Sequence, residues 1–132
     1  MSIKRVVDAY ALIAYLKRES AHARVLELLA SDDADLIINS INVGEVYYSL
    51  ARDRGIGAAE HFLTVILPSL PITVLGNSFE DVIAAARIKA GHALSYADCF
   101  AAATAIRERA LLVTGDPEFR KLGKTLEIDW VG

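Results

Sequence analysis

The residues best able to do chemistry in this sequence are acids placed where strands give way to helices: Asp8, Glu45, Asp98 and Asp116. Asp8 and Asp116 directly follow predicted strands, Glu45 lies a turn beyond another, and Asp98 opens the helix that feeds the Asp116 strand. Two carboxylates about 4 Å apart repel by roughly 4 kcal/mol at an effective dielectric of about 20. A group of them must take up protons or hold a cation, and oxygen-only ligands suit hard ions such as Mg²⁺ or Mn²⁺. His22, His61 and His92 are scattered and Cys99 has no second cysteine, so zinc is not expected. No Ser–His or Cys–His constellation offers a competing nucleophile.

Each acid also has a simpler reading. Ser95-x-x-Asp98 fits a capping box, and Asp8 and Asp116 stand where aspartate caps a helix, the latter followed by Pro117 at the first helical position. Asn42, Glu45, Ser49 and Arg52 form a polar stripe that reads first as a solvated helix face. Capping and ligation compete at these positions, and only convergence of the carboxylates separates them.

The elements that must bring them together alternate. Predicted strands at Ile3–Val7, Leu36–Ile38 (within Asp35–Asn39), Ile72–Leu75, Leu111–Val113 and Leu126–Trp130 are rich in β-branched and aliphatic residues. Helical patterns occupy Ala9–Lys17, Ala21–Ala30, Asn42–Arg52, Ala58–Leu67, Phe79–Ala90 and the stretch beginning at Ser95, with a short turn over Glu118–Leu122. Pro68 and Pro71 stop the fourth helix, and Ser78 caps the fifth. In the helix after Ser95, Ala101, Ala102 and Ala105 make a stripe of small residues that lets other backbone pack close. Such alternation predicts an α/β domain whose central, mostly parallel sheet of four to five strands is covered on both faces. Ligands of such sheets sit outside the carboxyl ends of the strands, where these acids would meet.

Composition sets the remaining bounds. A chain of 132 residues with 54% apolar content and mean hydropathy of +0.34 is expected to form one domain with a full core. A net charge of −3 excludes a general electrostatic attraction for nucleic acid, so contacts need a local basic patch or bound cations. The lone Cys99 rules out an internal disulfide and suits a reducing cytoplasm, where it reads as a small core residue. The uncharged stretch from Phe62 to Phe79 is broken by Pro68, Pro71, Gly76 and Asn77 before it can span a bilayer, so a soluble protein is expected. The amino terminus carries no signal-peptide pattern.

Taken in order, Asp8 after the first strand, Asn42-Val43-Gly44-Glu45, Ser95-Tyr96-Ala97-Asp98 and Thr114-Gly115-Asp116-Pro117-Glu118-Phe119 resemble the PIN-domain nucleases. More narrowly, the set resembles the VapC-type toxins of prokaryotic toxin–antitoxin pairs, over essentially the whole chain. The resemblance implies a single PIN-like domain over residues 1–132 and a metal-dependent endoribonuclease using Mg²⁺ or Mn²⁺. It implies that Asp8, Glu45, Asp98 and Asp116 form the acidic quartet, with Glu45 acting directly, through water or at a second ion. Thr114 matches a supporting hydroxyl, and Asn42 stands where a hydroxyl residue is common and would orient Glu45 or the substrate. Ala9 departs from the Ser or Thr often found after the first aspartate. A small antitoxin that places a basic group in the acidic pocket is implied, and a homodimer is expected. The apolar helix Ala58–Leu67 suits either contact, and equally the core. Arg52, Arg54, Arg87 and Lys89 are candidates for RNA phosphate contacts, or else ordinary solvated helix ends.

Two rivals differ in class. A receiver-like phosphoacceptor switch needs adjacent acids after the first strand and a lysine after the last, whereas this chain has Val7-Asp8-Ala9 and no such lysine. A catalytically silent PIN-like module that binds RNA or protein would keep the fold without the reaction. A dinucleotide enzyme is disfavoured because no G-x-G-x-x-G follows the first strand.

Overall fold

The apolar runs become strands, and the helices between them fold back over the sheet. In the computed structural model, which describes residues 2–132, the chain runs β1 (Ile3–Val7), α1 (Ala9–Leu16), α2 (His22–Ala30), β2 (Ala34–Asn39) and α3 (Ser40–Arg54). It continues through α4 (Ile56–His61), a π-helical turn (Phe62–Ile66), α5 (Leu67–Ser69), β3 (Ile72–Leu75), α6 (Phe79–Gly91), α7 (Tyr96–Glu108) and β4 (Leu111–Thr114). A 3₁₀ segment (Pro117–Thr125) and β5 (Ile128–Trp130) complete it.

The five strands form one sheet in the order β3-β2-β1-β4-β5, and every pairing is parallel. The chain therefore leaves every strand at the same edge. Alternation along the strands divides the core in two. Val7, Leu36, Ile38 and Val113 pack with Leu12, Val25, Val46 and Phe62 on the side of α1 to α4. Val6, Ile37 and Leu112 pack on the other side with Phe100, Ala101, Ala102 and Ala105 of α7 and with Phe119 and Leu122. The alanine stripe of α7 is fully enclosed, and Cys99 beside it is a buried free thiol, as its apolar neighbours predict.

Several boundaries differ from the sequence reading for local reasons. α3 starts at Ser40 rather than Asn42, because the Asn39 side chain caps it by accepting from the Ile41 N–H. Asn42 thus sits inside the first turn. The expected solvated stripe on this helix is also wrong in part: Asn42 and Ser49 are buried, since that side of α3 packs on α7. The helix expected over Ala58–Leu67 begins at Ile56, after Gly55 turns the chain at φ +93°, and widens into the π turn. Pro68 falls in the last turn of this continuous helical run, directly after the π turn, and the helix ends at Ser69. The segment after Asp116 is a 3₁₀ run longer than the expected Glu118–Leu122 turn, interrupted at Gly123 with φ +57°.

Candidate functional site

The carboxyl-terminal edge of the sheet collects the acids through short, local devices. Val7 pairs with Val113, so the next residues, Asp8 and Thr114, stand side by side on adjacent strands. Asp8 is the N-cap of α1: its Oδ1 accepts from the Ala11 N–H at 2.8 Å and its Oδ2 accepts from Thr114 Oγ1 at 2.5 Å. Thr114 Oγ1 in turn accepts from the Asp116 N–H at 3.0 Å. Asp116 caps the 3₁₀ segment by accepting from the Glu118 N–H. The first and last acids of the set are therefore tied together through one buried hydroxyl.

Glu45 comes from α3 and Asp98 from α7, and Asn42 joins the two helices. Its Nδ2 donates to Glu45 Oε1 at 2.9 Å and to the Ala97 carbonyl at 3.1 Å, immediately before Asp98. At the start of α7 the capping box is only half made. Ser95 Oγ accepts from the Asp98 N–H, but the Asp98 carboxylate is not returned to the cap, in contrast to the complete Ser78–Asp81 box of α6. The Asp98 carboxylate stays beside the Ser95 hydroxyl, which favours its charged form, without returning to the cap N–H.

The charges feel one another. Burial, with weaker contributions from the charges of Asp98 and Glu45, pushes the Asp8 carboxyl up to about 8, against the lowering effect of its hydrogen bonds. Glu45 is raised by burial and by the charge of Asp98. Asp98 is raised by burial and, more weakly, by the charges of Asp116 and Glu118, against the lowering effect of the Ser95 hydroxyl. Glu118 is an acid of this edge that the sequence reading quoted without assigning it a role. The available signal was its place two residues after Asp116 in the same turn. Gly115 was also missed as a steric requirement: a Cβ there would stand 2.3 Å from both the Tyr10 ring and the Val131 carbonyl.

The donors at this edge are carboxylate and amide oxygens, and Asn42 Oδ1 is buried without a hydrogen-bond partner. This set fits a hard divalent cation, which would offset the mutual repulsion and restore the charged form of Asp8. Among the described residues no three Asp, Glu, His or Cys side chains are already gathered around one point. Asp8 and Asp116 instead point at the N–H groups of their own helix starts. His22 and His92 are engaged with backbone carbonyls, at Tyr15 and Ile88.

The basic candidates divide between the two ends of the fold. Arg52 and Arg54 lie about 10–14 Å of helix beyond Glu45, with Arg52 beside Asp53 and over the Tyr48 ring. The Arg107–Asp81 ion pair joins the end of α7 to the start of α6, so these helices run antiparallel. The last turns of α6, with exposed Arg87 and Lys89, consequently lie toward the start of α7, and the Lys89 charge is felt at Cys99. A cavity of about 760 Å³ lies at the opposite sheet edge, lined in part by Lys4, Ile106, Arg109 and Leu126, and contains none of the four acids.

The chain matches the PIN domain family over residues 5–125. The chain belongs to the PIN-domain family. Solved structures similar to this PIN domain include VapC20 of Mycobacterium tuberculosis, described as a toxin cleaving the sarcin–ricin loop. That structure shares 18% identity, with 90% of this chain and 95% of that one covered and a TM-score of 0.76. VapBC2 of Rickettsia felis, bound to promoter DNA, is 20% identical over 98% and 100% of the two chains, with a TM-score of 0.74. DNA-bound VapBC of Salmonella typhimurium is 19% identical over 96% and 97%, also with a TM-score of 0.74. At these identities the likeness is one of fold. No curated protein matches the chain.

Proposed function

We propose that this PIN domain is a metal-dependent endoribonuclease and the toxin of a VapBC-type toxin–antitoxin pair, acting in the cytoplasm. The observation that carries this reading is the buried Thr114 hydroxyl that ties Asp8 to Asp116 at the sheet edge, where the charges of Glu45 and Asp98 also reach the enclosed Asp8 carboxyl. Such mutual repulsion is costly unless a cation offsets it. Asp8, Asp98 and Asp116 would hold Mg²⁺ or Mn²⁺, with Glu45 contributing directly, through water or at a second ion. A bound ion of this kind supplies a water acidic enough to attack at neutral pH and screens the phosphodiester charge. Thr114 holds the Asp8 carboxylate in place, and Asn42 orients Glu45. Arg87 and Lys89, on the near side of α6, are better placed than Arg52 and Arg54 to meet RNA phosphates.

The partner reading rests on the neighbours, which include toxins solved with their antitoxins, and on exposed apolar side chains. Around the π turn, Ala59, Phe62 and Leu67 enter the core while Ile56, Leu63 and Val65 face outward. This surface suits an antitoxin or a second copy of the chain, and the acidic edge suits a basic antitoxin side chain. Among the described residues no helix is long and apolar enough to cross a membrane.

The decisive experiment is incubation of the purified protein with total RNA in Mg²⁺, in Mn²⁺ and in EDTA, followed by sequencing of the new ends. Metal-dependent ends that vanish in folded Asp98→Asn and Asp8→Asn variants are expected. Cleavage that persists unchanged in both variants would sink the assignment.

A further inference from the structure

The edge that carries Asp116 continues past the acids into an exposed aromatic surface. Trp130, the only tryptophan in the chain, pairs across the β4–β5 ladder with Thr114, the residue that bonds both Asp8 and the Asp116 N–H. Neighbouring strands lie about 4.8 Å apart, so the indole is one strand away from the hydroxyl at the centre of the acid set. Paired residues of a parallel ladder share a face, which puts the indole on the Thr114 side of the sheet, beneath the 3₁₀ segment. Trp130 is nevertheless 41% exposed. The Arg120 guanidinium lies over its ring, 4.9 Å from the centroid.

Arg120 differs from its neighbour in what it is bonded to. Lys121 is occupied by Glu118 and by the Ala93 carbonyl. Arg120 has no carboxylate partner among the described residues, and its recorded contact is the indole. An exposed indole under an unpaired guanidinium is a flat π surface with a positive charge, beside a pocket that otherwise repels anions. Unstacked nucleotide bases are held by stacking on aromatic rings and arginine planes, while the cation meets the adjoining phosphate.

We infer that Trp130 and Arg120 form a stacking subsite for an unpaired base of single-stranded RNA, next to the acid cluster. The inference rests on the nuclease reading above and adds to it the residues that would hold a base beside the acids. It requires strands whose bases are free to unstack, and it disfavours intact duplex.

The single tryptophan is its own reporter. A short single-stranded 2′-O-methyl oligonucleotide, which resists cleavage, should quench Trp130 emission saturably, and the same sequence in a duplex should not. Base–aromatic stacking corresponds to a change of about 5- to 150-fold in affinity. Trp130→Leu, which keeps apolar bulk on β5, should raise KM for single-stranded RNA within that range with little change in kcat, and Trp130→Phe should restore part of the loss. Arg120→Ala, in an exposed position, carries the same test should Trp130→Leu fold poorly. Oligonucleotide binding detected by anisotropy with unaltered Trp130 emission would overturn the subsite. So would equal quenching by duplex, or wild-type KM in both Trp130→Leu and Arg120→Ala. A wild-type protein that neither binds the oligonucleotide nor cleaves any RNA would instead remove the nuclease reading, and the subsite with it.

Discussion

Thr114 donates to Asp8 at 2.5 Å from the neighbouring strand while its oxygen accepts from the Asp116 N–H at 3.0 Å. Both residues are buried, at 0% and 2% exposure, so neither bond can be replaced readily by water. Thr114→Val preserves shape and removes donor and acceptor together. Leaving buried polar groups unpaired costs about 1–3 kcal/mol, which urea unfolding of the variant should register. The hydroxyl also lowers the Asp8 pKa. Its loss should therefore shift divalent-ion binding, followed by calorimetry, to higher pH, and Thr114→Ser should restore most of the wild-type behaviour.

Asp8 should make stability depend on pH in an unusual direction for an aspartate. Its folded value of about 8 lies above the ordinary 3.8, so between these values the folded state holds a proton that the unfolded state has released. In EDTA, stability should fall as pH rises from about 4 and level off above about 8. Mg²⁺ favours the deprotonated form and should raise Tm most at the alkaline end. Thermal melts of wild type and Asp8→Asn across this range provide the check, and an unchanged slope in Asp8→Asn would rule out Asp8 as its source.

Gly115 is required for space. Its φ is not in the left-handed region, but an added methyl would meet the Tyr10 ring and, more seriously, the Val131 carbonyl at 2.3 Å. Tyr10 can move because it is 44% exposed, whereas the Val131 backbone is held by the bond from its N–H to the Thr114 carbonyl. Gly115→Ala should destabilise the protein by about 1–3 kcal/mol through overpacking. Tyr10→Ala would relieve only the ring clash, so the double variant should recover part of that loss in urea melts.

Asp129 balances two arginines on the face of the sheet away from Trp130. Its Oδ2 accepts from Arg5 Nε and from Arg24 Nη2, each at 2.9 Å. Arg5 and Asp129 side chains are each only 13% exposed, while Arg24 is partly open to solvent and also meets Glu27. Asp129→Ala orphans the enclosed Arg5 and should cost about 3 kcal/mol, the low end for breaking a buried pair because water reaches Arg24. Arg24→Ala should cost clearly less. Equal losses in denaturant melts would contradict this division.

The order of elements was legible in the sequence because it depends on short-range chemistry. β-branched runs, an apolar period of three to four, and the caps Asp8, Ser78, Ser95 and Asp116 each act within a few residues, and all four caps accept the expected nearby N–H. The parallel sheet followed from strand–helix alternation by general topological constraint. The positions of the acids follow the same local logic: Asp8 and Asp116 stand just past strand ends, Asp98 lies in the first turn of α7, and Glu45 lies in the second turn of α3.

What tertiary structure alone decided was which groups meet across the chain. Asn42 and Ser49 are buried because α3 lies against α7, a contact absent from the pattern of α3 itself. Asn39 is satisfied by Asn77 and Thr104, residues 38 and 65 positions away. The Thr114 bridge between Asp8 and Asp116, the pairing of Trp130 with Thr114 and the fit of Tyr10 over Gly115 depend on strand order and register. Local sequence encodes conformation through steric and hydrogen-bonding preferences over a few residues. The electrostatic coupling of the acids arises from burial and proximity in space, which are created only when the strands assemble side by side.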